Sequence, residues 1–146
     1  MLKQDITYVD FNGIERTESF YFNLTKTELA ELDIDAGGTL RQRLMRLMET
    51  QDNFGMAKFF KELIVKAYGE KSDDGRYFDK GEDNAYGKRF TRSNAFDKFF
   101  TELLSDPSGN KAEAFLYGVV PKDVADQAKA NTTPKISVGD DDVIAP

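Results

Sequence analysis

The chain has no cysteine and no histidine. Without thiols there is no disulfide framework, no thiolate metal site and no cysteine nucleophile. Without imidazole it lacks the side chain most used for proton transfer near neutral pH and the commonest metal ligand. Acid–base and metal chemistry are thus left without their usual residues, and no catalytic, cofactor or metal site is expected. No stretch approaches the about 18 consecutive apolar residues that span a bilayer as a helix. The N-terminal MLKQDITYVD also lacks the basic-then-apolar order of a secretory signal. The expectation is a soluble intracellular chain with no membrane partner.

Positive charge is in the minority: 20 Lys and Arg face 26 Asp and Glu, a formal charge of -6. Nucleic acid and anionic lipid are therefore repelled at long range. Arg41, Arg43 and Arg46, and again Lys88, Arg89 and Arg92, carry phosphate-binding chemistry. Each cluster sits on an amphipathic or loop segment of an acidic chain, so no nucleic-acid partner is expected. Asp73, Asp74, Asp79, Glu82 and Asp83 supply hard oxygen donors, but their spacing is not that of a calcium loop. Lys71, Arg76 and Lys80 are interleaved with them, which favours local pairing.

What is present is aromatic. The 146 residues include 12 Phe and 6 Tyr but no Trp, with 40% hydrophobic and 32% charged residues, a balance that folds. The length fits one domain over residues 1–130, followed by an acidic tail at 131–146 carrying Asp140, Asp141 and Asp142. Strands over 3–10 and 14–22 flank Asn12-Gly13, a dipeptide suited to a tight hairpin turn. Alternation is good through Ser19–Phe22 and imperfect from Tyr8 to Phe11, which leaves register and turn length open. Such a hairpin needs helices under its aromatic face.

Capping boxes at Thr25/Glu28 and Thr39/Gln42 start helices over 26–33 and from 39 to about Thr50. Met56, Phe59, Phe60, Leu63, Ile64 and Ala67 recur at three- and four-residue spacing on a helix from Asn53 to Tyr68. Gly69 is placed to end it as a left-handed residue. Residues 70–81 form a turn-rich loop around Ser72-Asp73-Asp74-Gly75, and a short helix spans 82–90. Ser93 caps a helix with the stripe Phe96, Phe99, Phe100, Leu103 and Leu104, ended by Asp106-Pro107-Ser108-Gly109. A short helix follows over 111–117, and Pro121 starts another turn of helix to about Ala130. The fold class is mainly α within α+β: an N-terminal hairpin at about 3–22 packed on about five to six short helices. Adjacent rings in Phe59-Phe60 and Phe99-Phe100 lie about 100 degrees apart around a helix. Either both rings of each pair are buried, or one of each leaves the core for a partner surface.

Three segments, AYGEKSDDGRYF at 67–78, SNAFDKFFTELL at 93–104 and AFLYGVVPKD at 114–123, follow an opening DFNG hairpin and FYFNLTKTEL. In their order and spacing they resemble the tail assembly chaperones of long-tailed bacteriophages, especially those of Gram-positive hosts. The resemblance spans most of residues 1–125. It implies a non-enzymatic late protein of the host cytoplasm that coats the tape measure protein, helps recruit tail tube subunits and is absent from the mature virion. It also implies a longer frameshifted form that contacts the tail tube protein, of which this chain is similar to the short form. Partner-binding or self-association residues are then expected in those segments: Tyr68, Glu70, Lys71, Asp74, Arg76 and Phe78; Phe90, Phe96, Phe99 and Phe100; Phe115 and Tyr117. The alternative is a small structural virion protein, a tail or head-tail connector subunit.

Overall fold

The computed structural model describes residues 1–36 and 38–127. Two long antiparallel strands, β1 (Leu2–Val9) and β2 (Glu15–Phe22), open the chain. Their register pairs Leu2 with Phe22, Gln4 with Phe20, Ile6 with Glu18 and Tyr8 with Arg16. Paired residues share a face, so Leu2, Ile6, Tyr8, Phe20 and Phe22 all turn to the same side and join the core. The opposite face carries Lys3, Asp5, Thr7, Thr17 and Ser19, all exposed.

The connecting turn, whose length the sequence left open, runs through Asn12 and Gly13. The Asp10 amide donates to the Ile14 carbonyl at 2.9 Å and the Gly13 amide to the Asp10 carbonyl at 2.9 Å. Only Gly13, at φ 80, is left-handed there, while Asn12 is not. This is a three-residue loop with a glycine bulge. Asp10 selects it: its carboxylate accepts the amides of Asn12 (2.9 Å) and Ile14 (3.0 Å) and the Arg16 guanidinium (2.6 Å). Those contacts, Arg16 foremost, hold the Asp10 carboxyl below its ordinary value.

Helices α1 (Lys26–Ala36), α2 (Leu40–Glu49) and α3 (Asn53–Ala67) follow. Both expected capping boxes form: Thr25 and Glu28 exchange bonds of 2.9 and 3.1 Å, and Thr39 and Gln42 bonds of 3.0 and 3.1 Å. Then come β3 (Tyr68–Lys71), β4 (Phe78–Asp79), a 3-10 turn (Glu82–Asn84), α4 (Ala85–Phe90), α5 (Asn94–Ser105) and α6 (Asn110–Val119). Residues 122–127 are helical. The expected tail at 131–146, and the end of the helix expected from Pro121 to Ala130, lie outside the described residues. The fold is α+β and mainly helical, its N-terminal hairpin lying on the helices, as the sequence predicts.

Three expectations need correction. The helix expected over 82–90 is broken, because Asp83 and Asn84 both take φ 59; Asp and Asn tolerate that left-handed region better than most residues. The 70–81 loop is a hairpin, with Glu70 paired to Asp79 and Lys71 to Phe78. It extends the sheet to four strands in the order β1-β2-β3-β4, through Tyr21 opposite Gly69 and Phe22 opposite Tyr68.

Gly69 is therefore a strand residue, and α3 ends at Tyr68 in extended backbone (φ -66, ψ 139). A glycine is needed there for space, not for a positive φ. A Cβ at this position would sit 2.6 Å from the Phe78 ring and 3.0 Å from the Asp79 carbonyl oxygen. Gly69→Ala is expected to displace the Phe78 ring and cost about 1 to 3 kcal/mol, the usual range for overpacking. Urea denaturation measures the loss, and amide chemical shifts should move chiefly at 70–79; unchanged stability would refute the close approach.

The core is one continuous cluster centred on Phe22, whose ring lies within 5.8 Å of those of Tyr68, Phe90, Phe99 and Phe115. Phe59 and Phe60 are both buried, edge to face at 5.0 Å. In the second adjacent pair Phe99 is buried while Phe100 is only partly so.

Candidate partner-binding surface

The segment read as a signature builds the β3–β4 hairpin, and most of its polar residues are spent on the turn. Asp74 accepts the Ser72 hydroxyl at 2.8 Å and the Arg76 amide at 3.0 Å, and the Tyr77 amide donates to the Ser72 hydroxyl at 3.1 Å. The Arg76 amide is the leading cause of the lowered Asp74 pKa. Gly75 at φ 76 closes the turn. The Arg76 guanidinium stays exposed, 3.6 Å from Asp74. Glu70 pairs with Arg89 at 3.0 Å, and the Lys71 ammonium lies 5.3 Å from the centre of the Tyr21 ring. Glu70, Lys71, Asp74, Arg76 and half-buried Phe78 thus share one hairpin.

A partly buried ion pair anchors that hairpin to the helices. The Lys80 ammonium, just beyond β4, donates to the Asn23 carbonyl (2.8 Å), the Lys66 carbonyl (2.7 Å) and Glu28 (2.7 Å). Three acceptors match the three donors of an ammonium. They tie together the end of β2, the last turn of α3 and the first turn of α1. Burial raises the Glu28 carboxyl, but bonds from Lys80 and from the Thr25 amide and hydroxyl outweigh it and hold the group below its ordinary value. Burial also lowers the Lys80 ammonium, and the pull of Glu28 only partly offsets it. The geometry, with every donor matched, is that of an ionised pair.

The aromatic site candidates divide differently. Phe90, Phe96, Phe99 and Phe115 are buried in the core. Tyr68 stacks on Phe90 at 4.6 Å, Phe90 meets Phe96 at 5.8 Å, and Phe96 stacks on Phe100 at 5.0 Å. This file of rings runs from the second hairpin to the partly buried Phe100 on α5. Desolvation raises the Tyr68 phenol. Tyr117 is partly buried in a separate cleft that it lines with Leu29, Leu40, Leu116 and Val120. The second and third segments therefore meet directly at Phe99 and Phe115, and the first joins them through Phe22 and Phe90, while the β3–β4 turn stays exposed.

Other apolar groups face solvent. Phe11 is 79% exposed, Phe54 81% and Tyr77 71%, and Val9 and Ile14 are also exposed. Strand β3 pairs antiparallel to β2 and so runs back toward the β1–β2 turn. Both hairpins therefore point the same way along the sheet, with Val9, Phe11 and Ile14 around the β1–β2 turn and Tyr77 in the β3–β4 turn, which by register lies level with the middle of β2. The Asn94 side chain donates to the Val9 carbonyl at 3.0 Å and fastens the start of α5 there. Sequence reasoning missed these residues. The available signal was the broken alternation from Tyr8 to Phe11, and a third aromatic, Tyr77, inside the signature. Among the described residues no group of acidic side chains is arranged to hold a metal ion, and no helix is long and apolar enough to cross a membrane.

A one-sided antiparallel sheet on helices, with a self-bonded second hairpin and apolar side chains on both turns, makes a small α+β domain. A family model described as phage tail assembly chaperone matches residues 1–144. The chain belongs to that family. No curated protein and no solved structure matches it.

Proposed function

We propose that this chaperone binds the tape measure protein of its phage, keeps it soluble and helps recruit tail tube subunits during tail assembly, without catalysis. It acts in the host cytoplasm and leaves before the virion is complete. A longer frameshifted form engages the tube protein, and copies of the chain associate along the tape measure, where many weak contacts gain from multivalency. The observation that carries this reading is the exposure of Phe11 and Tyr77 on the turns of two hairpins that point the same way, in a fold that buries most of its other Phe side chains. Exposed aromatics flanked by charge suit an apolar helix that needs cover.

The test is co-expression with the tape measure protein, followed by pull-down and sizing. The native chain should yield a soluble complex with several copies per tape measure. The double variant Phe11→Ser with Tyr77→Ser should lower the recovered tape measure at least several-fold while keeping the native melting temperature, because both side chains are on the surface. Equal recovery overturns the assignment of the tips. Phe96→Ala does not serve this purpose, since the ring is buried. Persistence of the chain in purified particles would replace the chaperone reading with that of a structural tail or connector subunit.

A further inference from the structure

Strand β1 is an edge of the sheet, and much of that edge is unpaired. The bond from the Asp10 amide to the Ile14 carbonyl sets the alternation of the ladder. Leu2, Gln4, Ile6 and Tyr8 bond to β2, and the N–H and C=O groups of Lys3, Asp5, Thr7 and Val9 turn the other way. The Asn94 side chain takes the Val9 carbonyl at 3.0 Å and closes that end. Among the described residues, nothing bonds the outward backbone groups of Lys3, Asp5 and Thr7. The opposite edge, β4, is two residues long, whereas β1 has eight; a very short edge resists pairing and a long one invites it. Along the open stretch lies a surface hollow lined by Leu2 and Gln4 of β1, Phe99 and Leu103 of α5 and Phe115 of α6. The core-side residues of an added strand would meet apolar side chains there.

We infer that β1 pairs antiparallel with β1 of a second copy, about a two-fold axis through Gln4, and joins the two sheets edge to edge. The strand's own sequence selects this register. Outward backbone groups must meet outward groups, so Lys3, Asp5 and Thr7 can face only one another across the contact. An axis at Asp5 sets Asp5 opposite Asp5, and an axis at Lys3 sets Lys3 opposite Lys3; like charges directly opposite are destabilising. An axis at Ile6 brings Lys3 against Val9, whose carbonyl Asn94 already holds. The axis at Gln4 sets Lys3 opposite Asp5 twice over on the solvent face, and Leu2 opposite Ile6 on the core face. Within its own chain, neither Lys3 nor Asp5 has an ion-pair partner among the described residues, although Asp5 accepts the Ser19 hydroxyl. Each side chain thus finds its counter-charge only in the second copy. The pairing covers residues 2–6 and stays clear of the β1–β2 turn. It rests on the self-association proposed above and gives it a surface.

The test uses the full chain without an N-terminal tag and without tape measure protein, so its failure is separate from a failure of tape measure binding. Sedimentation from about 5 to about 500 μM should show monomer passing to dimer and nothing larger. Amide hydrogen exchange at Lys3 and Asp5 should slow with concentration, about tenfold where nine copies in ten are paired, while Ile6 and Tyr8 change far less. Lys3→Asp and Asp5→Lys each put like charges opposite, and each should stay monomeric where the native chain is dimeric. Both alter exposed side chains and should keep the melting temperature of the dilute native chain. Mixed in equal amounts, the two variants should form a one-to-one dimer, because each offers the charge the other lacks. The double variant Lys3→Asp with Asp5→Lys should regain the native dimer. A chain monomeric throughout the range overturns the proposal. So does a dimer that survives Lys3→Asp, which assigns the contact to another surface, and so does a mixture of the two variants that stays monomeric.

Discussion

Phe22→Ala is expected to destabilise this protein by about 3 to 5 kcal/mol, the range for truncating a buried aromatic ring. Phe22 is fully buried at the last position of β2. Its ring stacks on Phe99 at 5.7 Å and meets Phe115 at 5.4 Å, Tyr68 at 5.7 Å and Phe90 at 5.8 Å. These four rings come from α5, α6, β3 and α4, so the vacated volume borders four elements and no single one can move in to fill it. For a domain near 150 residues, each kcal/mol lowers the melting temperature by about 2 to 4 °C. A fall of about 10 °C or more in thermal denaturation is the expected readout. Phe22→Leu, which keeps most of the apolar volume, should lose less than half as much. A loss below about 1 kcal/mol for the alanine variant would contradict the central position of this ring.

Lys80→Met is expected to cost about 3 kcal/mol. Methionine can fill the aliphatic part of the site but leaves the Asn23 and Lys66 carbonyls and the Glu28 carboxylate without their donor. Breaking one side of a buried pair costs about 3 to 5 kcal/mol. The lower end applies because the Glu28 side chain is 33% exposed and can recover some hydration. The double variant Lys80→Met with Glu28→Gln should regain part of the loss, since no carboxylate is then stranded.

The pH dependence follows from the lowered Glu28 pKa. The unfolded chain binds that proton more tightly, so the stabilisation is present above the ordinary carboxylate pKa and is lost as pH falls through it toward the lower folded value. Urea titrations from neutral to acidic pH should show a shallower acid decline in Lys80→Met than in the native chain. Equal slopes would mean that Lys80 does not hold Glu28 ionised.

Local chemistry was legible wherever a residue acts on its chain neighbours. Thr25 and Thr39 with their partners three residues on mark two helix starts, and Ser93, whose hydroxyl accepts the Phe96 amide at 3.1 Å, marks a third. The stripes of α3 and α5 gave their buried faces, because a helix repeats its environment every three to four residues. The β3–β4 hairpin was not legible. Its strands are short, its pairing residues are Glu70, Lys71, Phe78 and Asp79, and a turn rich in Asp, Ser and Gly looks the same whether or not its flanks pair. Gly69 was misjudged for a related reason: a glycine after a helix fits a left-handed cap equally well, and only the Phe78 ring packed across it shows that space was the requirement.

The candidate site shows the same division. The sequence by itself determined the α+β class, the hairpin, most helix boundaries, the caps and the family resemblance, since each rests on short-range spacing. Which aromatics are core and which are surface was decided by tertiary structure alone. Phe90, Phe99 and Phe115 are buried because segments distant in sequence close on Phe22, and Phe96 because it packs on Phe90, while Phe11 and Tyr77 stay exposed on turns. Burial is a property of the whole packed chain, and no local pattern encodes which ring ends up under another segment.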